Sequence, residues 1–111
     1  MPYFTVVIVN WNGGSYVQGA LDSLARQTFR DFEVFLIDNA STDGSVDHLE
    51  TEALPAFTLL TQDQNLGFAE GNNVGAKTGT GDWLVLLNPD AEAAPNWLQS
   101  LSDAILAHPG T

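Results

Sequence analysis

The 111-residue chain has no cysteine and only three basic residues, Arg26, Arg30 and Lys77, against fourteen acidic ones. Without cysteine there is no disulfide and no thiolate metal site, and a Cys–His catalytic pair is excluded. Without clustered Lys and Arg the chain lacks the cations that neutralise nucleic-acid phosphates or dock on an anionic membrane, so neither partner is expected. No apolar run approaches the roughly 20 residues that span a bilayer, and no basic region followed by a long apolar one opens the chain. The expectation is a cytoplasmic protein with no membrane span. Any phosphate ligand would have to be held by backbone N–H groups, helix N-termini or a bound metal cation.

Several motifs are missing too. There is no phosphate loop of Walker type, no G-x-G-x-x-G after the first apolar run, and no G-x-S-x-G nucleophile elbow. His48 and His108 are isolated and make no metal pair.

What is present is a chain with 44% hydrophobic residues and aromatics spread along it, which fits one globular domain over 1–111. "FTVVIV" (4–9) is a β-branched apolar run and predicts a strand, and Val17, Ala20, Leu21 and Leu24 predict a helix over 15–27. "FEVFLI" (32–37) predicts a second strand ending at Asp38, and Asp43 or Ser41 could cap a short helix to about residue 52. "FTLLT" (57–61), a helix from about Phe68 to Lys77, and a strand over 82–87 follow. A last helix begins near Pro95 and is stopped by His108, Pro109 and Gly110. Strands alternating with helices, with strand cores apolar enough for cover on both faces, predict an α/β fold with a doubly wound, mainly parallel sheet of about four strands.

Ligands of such sheets bind beyond the carboxyl ends of the strands. The informative positions are therefore Asn10-Trp11-Asn12, Asp38-Asn39, the surroundings of Asn65, and Asn88-Pro89-Asp90. Asp38 and Asp90 both end up on that rim. A carboxylate there can accept a hydrogen bond from the imide N–H of a pyrimidine, or ligate a hard divalent cation. The stretch 39–50, "NASTDGSVDHLE", spaces its oxygens almost like an EF-hand, but it starts on Asn and follows a strand, so calcium sensing is rejected. Asn39-Ala40-Ser41 is formally a glycosylation sequon with no secretory signal to support it. The run 65–75, "NLGFAEGNNVG", offers neutral amides suited to a base or sugar, with Phe68, Ala69, Val74 and Ala76 as packing residues.

Four pieces in order resemble the nucleotide-binding half of family-2 glycosyltransferases with the GT-A, Rossmann-like fold. They are the segment from "VVIVNWNGG" to "DNASTDGS", then "NLGFAEGNNVGAK", "DWLVLLNPDA" and the helix from Pro95. The second piece is similar to the bacterial rhamnosyltransferase-like branch. The resemblance implies a hexosyltransferase of cell-wall or polysaccharide biosynthesis, using a UDP- or dTDP-linked sugar, Mg²⁺ or Mn²⁺, and a carbohydrate or lipid-linked acceptor. It implies that Asp38 accepts the N3–H of the base and that Val9 and Asn10 line the base or ribose pocket. Asn65, Gly67 and Asn73 match the nucleotide-side loop, while Asn72 stands where many relatives carry Arg. "NPD" takes the place of the D-x-D motif, with Asn88 towards the ribose and Asp90 as metal ligand. The catalytic base lies downstream of Thr111 in this pattern. The domain is thus expected to be truncated at its C-terminal end and inactive alone, with a fourth strand near an open edge through which it could self-associate. The alternative is a small receiver-like signalling module, against which Asn10 and Trp11 stand where its acidic pair belongs.

Overall fold

The computed structural model describes residues 2–107. Strands β1 (Phe4–Asn10), β2 (Phe32–Asp38), β3 (Phe57–Thr61) and β4 (Trp83–Leu86) form one parallel sheet in the order β3-β2-β1-β4. Helices α1 (Tyr16–Ala25) and α3 (Trp97–Ala107) cover one face, and α2 (Phe68–Thr78) covers the other. The doubly wound parallel sheet is as expected.

Alternation along the central strands sorts the core. Phe4, Val6 and Ile8 of β1 and Val34 and Leu36 of β2 point to the side of α1 and α3, meeting Val17, Leu21, Leu24 and Leu98. Val7, Val9, Phe35 and Ile37 point to the other side, with Leu60 and Val74. All of β1 is buried and so is nearly all of β2, which explains why both read as continuous apolar runs. The outer strands depart from the expectation of cover on both faces: Leu59, Leu84 and Leu86 are exposed, and β4 is an edge among the described residues.

Two further expectations are corrected. No helix forms over 43–52. Gly44 has φ 76°, outside helical space, and the backbone of Glu50 is bonded to the Gln18 side chain through both its N–H (2.9 Å) and its carbonyl (3.0 Å). Only a turn closed by Asp47 N–H on Gly44 O survives. The second correction concerns 65–75, where Phe68, Ala69 and Ala76 are exposed and only Val74 packs. The glycines do the packing. An added Cβ at Gly71, Gly75 or Gly79 would lie 2.6, 2.6 or 2.4 Å from side-chain atoms of Val9, Val7 or Thr5. Their spacing of four puts them on one helix face, so α2 rests with its backbone against β1. The arrest of the last helix by His108, Pro109 and Gly110 lies outside the described residues.

Segment 88–98 is fastened to α1 through Ser23 and to the turn after α1 through buried Gln27. Its Nε2 donates to Ala94 O (2.7 Å) and its Oε1 accepts from Leu98 N–H (3.0 Å). Ser23 Oγ accepts from Ala93 N–H. At the opposite end of the sheet, Glu33 accepts from the Thr5 hydroxyl (2.6 Å) and from the Thr80 N–H and hydroxyl. Burial raises its carboxyl, but these hydrogen bonds outweigh that and leave it below its ordinary value of 4.5. A lowered carboxyl stabilises fully above the unfolded value, and that contribution is lost as pH falls through the folded one. The melting temperature is therefore expected to drop as pH falls below about 4.5. Melting curves of Glu33→Gln should show a shallower acid limb; an unchanged limb would remove Glu33 from it.

Candidate functional site

At the carboxyl ends of β1 and β2 the connecting loops are stitched to each other. Asn10 and Asp38, paired in register, are both buried. Asn10 Nδ2 donates to Asp38 Oδ1 (3.0 Å) and Ser45 Oγ (3.0 Å). Asp38 also accepts from the Ser41 hydroxyl (2.6 Å) and the Ser41 N–H (3.1 Å). Outside this buried hub, Asn12 N–H donates to Ser41 Oγ, Thr42 N–H to Asn12 Oδ1, and Gly14 N–H to Asp43 Oδ2. The hydroxyl and N–H of Ser45, with the Gly14 N–H, hold the Asp43 carboxyl below its ordinary value.

The stitching forces the backbone into left-handed conformations at Asn12 (φ 52°) and Ala40 (φ 60°). Asparagine tolerates this; alanine does not do so readily. Ala40→Gly is accordingly expected to raise stability by about 1 kcal/mol, which a thermal melt would register as a gain of roughly 4 °C. A lower melting point would mean that Ala40 is not strained.

Between these loops and α2 lies a cleft of about 670 Å³, within the range of small-molecule sites. β1 and its loop contribute Val9, Trp11, Asn12 and Gly13, with Tyr16 at the start of α1. Asn39 follows β2, the loop before α2 brings Asn65, Gly67 and Phe68, and the loop after β4 brings Asn88, Pro89 and Asp90. Trp11, Tyr16 and Phe68 are more than half exposed, presenting ring surface to the opening. Among the described residues the lining holds one carboxylate, Asp90, and no cationic side chain.

Of the positions expected from the sequence, Val9, Asn65, Gly67, Asn88 and Asp90 meet in this cleft. Asn10, Asp38 and Asn73 do not line it. The first two form the buried hub, and Asn73 reaches back to Glu70 on the surface of α2. The residue of β2's end that lines the cleft is Asn39, one position on and on the other face of the sheet. Its N–H donates to Asn10 O (2.8 Å) and its Nδ2 to Gly67 O (3.0 Å), while its buried Oδ1 has no partner among the described residues. Asn39 and Trp11 were legible as rim residues; Tyr16, Gly13 and Phe68 carried no sequence signal beyond their proximity to the rim.

The family model for glycosyl transferase family 2 matches residues 5–110. The chain belongs to glycosyl transferase family 2. An N-acetylglucosaminyl-diphospho-decaprenol L-rhamnosyltransferase of Mycobacterium tuberculosis is 32% identical over 110 residues, covering 89% of this chain and 36% of that protein. The crystal structure of S. aureus TarS 1-349 with UDP-GlcNAc superposes with a TM-score of 0.87 at 26% identity, over 97% of this chain and 32% of that one. The mannosyltransferase PcManGT from Pyrobaculum calidifontis, in complex with GDP-Man and Mn²⁺, gives 0.83 at 31% identity, over 97% and 33%. The chain spans about a third of the length of the curated relatives it matches. These likenesses support the GT-A fold and do not favour the receiver-like alternative. Among the described residues of this family-2 domain, no helix is long and apolar enough to cross a membrane, and no group of three or more His, Cys, Asp or Glu gathers as a ready-made metal site.

Proposed function

We propose that the cleft is the donor site of a glycosyltransferase, taking a UDP- or dTDP-linked sugar that the whole protein transfers, with inversion, to an acceptor hydroxyl. The observation that carries this reading is the lining itself. Neutral amides and open aromatic rings surround a single carboxylate at the carboxyl ends of the strands, in a family-2 chain whose structural neighbours hold UDP-GlcNAc and GDP-Man. Uncharged amides suit a base and a ribose. Asn39 Oδ1, needing a donor, takes the ring N–H of the base in place of Asp38. Val9 and the Trp11 ring bound the base, Asn65 and Gly67 form the facing wall, and Asn88 reaches the ribose.

A diphosphate entering this lining meets no cationic side chain, so its charge needs a metal. Asp90 is exposed and has no hydrogen-bond or ion-pair partner among the described residues. One free carboxylate is a poor site for a bare ion but suffices for Mg²⁺ or Mn²⁺ arriving with substrate phosphates. We assign Asp90 to hold that ion, which when bound neutralises charge developing on the departing diphosphate. The general base that deprotonates the acceptor is assigned to no residue of this chain.

Calorimetric titration with UDP tests the reading. With Mn²⁺ present, binding is expected to be at least about tenfold tighter than with chelator. Asp90→Ala should weaken binding to the metal-free level and make it indifferent to Mn²⁺. Sugar transfer is not expected from the 111 residues alone. UDP affinity that ignores Mn²⁺ in the unaltered chain would remove Asp90 from the metal, and no UDP binding would remove the donor site.

A further inference from the structure

The amide of Asn39 is used at one end only. The residue is 1% exposed. Its Nδ2 donates to the Gly67 carbonyl, and because a carbonyl accepts only from the nitrogen, this contact fixes which end of the amide is which. Oδ1 is then buried and unpaired among the described residues. Asn39 borders the cleft and no described protein group gives this oxygen a donor, so a ligand in the cleft is the donor the arrangement leaves for it.

Gly67 is clamped through both of its backbone groups. Its N–H donates to Asn65 Oδ1 at 2.9 Å, and its carbonyl accepts from Asn39 Nδ2 and from Gly71 N–H at 3.1 Å. It sits at φ 87° as the residue from which α2 departs. Asn65, Gly67 and Phe68 together form one wall of the cleft. One side chain therefore spans the end of β2 and the root of α2. A donor bound at Oδ1 draws electron density to the oxygen, which strengthens the N–H donors at the other end of the same amide.

We propose that Asn39 is a positioning residue that couples base recognition to this wall: its oxygen takes the ring N–H of the base while its nitrogen holds Gly67, so that an occupied cleft tightens Asn65–Phe68 and the first turn of α2. The coupling rests on the donor-site reading above. It depends on asparagine, because an aspartate there could accept from the base but has no N–H with which to hold Gly67.

Amide hydrogen exchange at Gly67 and Gly71 measures the coupling, with the Glu50 amide, held by Gln18, as a distant reference. Saturating UDP should slow exchange at Gly67 and Gly71 at least about tenfold and leave Glu50 unchanged. N3-methyl-UDP, which lacks the ring N–H, should bind without that slowing. Asn39→Asp should bind UDP with less than about a twofold change at either glycine. Equal slowing by N3-methyl-UDP, equal slowing in Asn39→Asp, or UDP bound to the unaltered chain with no slowing would each overturn the coupling while leaving the donor site in place. Absence of UDP binding would overturn the donor site and the coupling with it. The two ligand arms need only the unaltered chain, so the outcome stands even if the variant does not fold.

Discussion

Gly75→Val is expected to destabilise the domain by about 3 kcal/mol and to lower its melting temperature by roughly 12 °C. An ideal Cβ at Gly75 lies 2.6 and 2.7 Å from the two Cγ atoms of Val7 and 3.2 Å from its Cβ. Rotating Val7 moves one methyl out of the way and brings the other in, so α2 itself must lift from β1. For Gly75→Ala two effects compete. Alanine in a helix interior gains about 1 kcal/mol over glycine, and overpacking costs about 1–3 kcal/mol. With contacts this short on a central strand the overpacking wins, and a net loss of about 1 kcal/mol is expected. Urea melts of Gly75→Ala in the Val7→Ala background should show a smaller loss than in the original chain, because the clashing methyls are gone. A Gly75→Ala chain more stable than the original would show that α2 does not sit against β1 as described.

The second large effect concerns Asp38. Replacing it with alanine removes the acceptor for Asn10 Nδ2, the Ser41 hydroxyl and the Ser41 N–H, all at a buried position. Hydrogen bonds to a charged group contribute about 1.5–3 kcal/mol each, and those within one network do not add. Asn10 also retains contacts to Ser41 and Ser45. A loss of about 3 kcal/mol is expected for Asp38→Ala, and about half that for Asp38→Asn, which keeps one acceptor oxygen. At temperatures well below the melt, Asp38→Asn should still bind UDP within about threefold of the original chain. Unchanged stability with abolished UDP binding would return Asp38 to the ligand.

The exchange of Asp38 for Asn39 shows how far the sequence carries the site. Five of the eight nominated residues line the cleft at the strand ends. Parity is what keeps Asp38 out of the lining. Side chains alternate along a strand, so Leu36 and Asp38 share the α1 side while Ile37 and Asn39 share the α2 side with Val9 and Gly67. Extending that alternation one residue past the strand would have picked out Asn39. Asn73 lies outside the lining for a different reason, since it sits more than a turn into α2, away from the end that meets the cleft.

The fold was legible for different reasons in different places. β1 and β2 are buried on both faces, so their composition alone marked them. α2 was placed nearly to the residue, yet its packing was assigned to Phe68, Ala69, Val74 and Ala76 and not to its glycines. Glycine at every fourth position serves close helix–sheet approach as well as loop flexibility, and spacing does not tell the two apart until the neighbouring strand is known. The helix expected over 43–52 was lost to long-range partners. Gln18, 32 residues away, takes the hydrogen bonds at Glu50, and no local pattern encodes that competition.

The cleft between the β1, β2 and β4 loops and α2 is proposed to receive a nucleoside diphosphate. The most direct measurement is a map of backbone amide shifts on adding UDP with Mg²⁺ to the uniformly labelled chain. The largest shifts are expected at residues 9–13, 39, 65–68 and 88–90, while a separate cavity lined by Gln18, Asp43 and His48, and the far end of the sheet at Glu33 and Thr80, stay unmoved. Shifts centred on that separate cavity, or none at saturating UDP, would contradict the proposal.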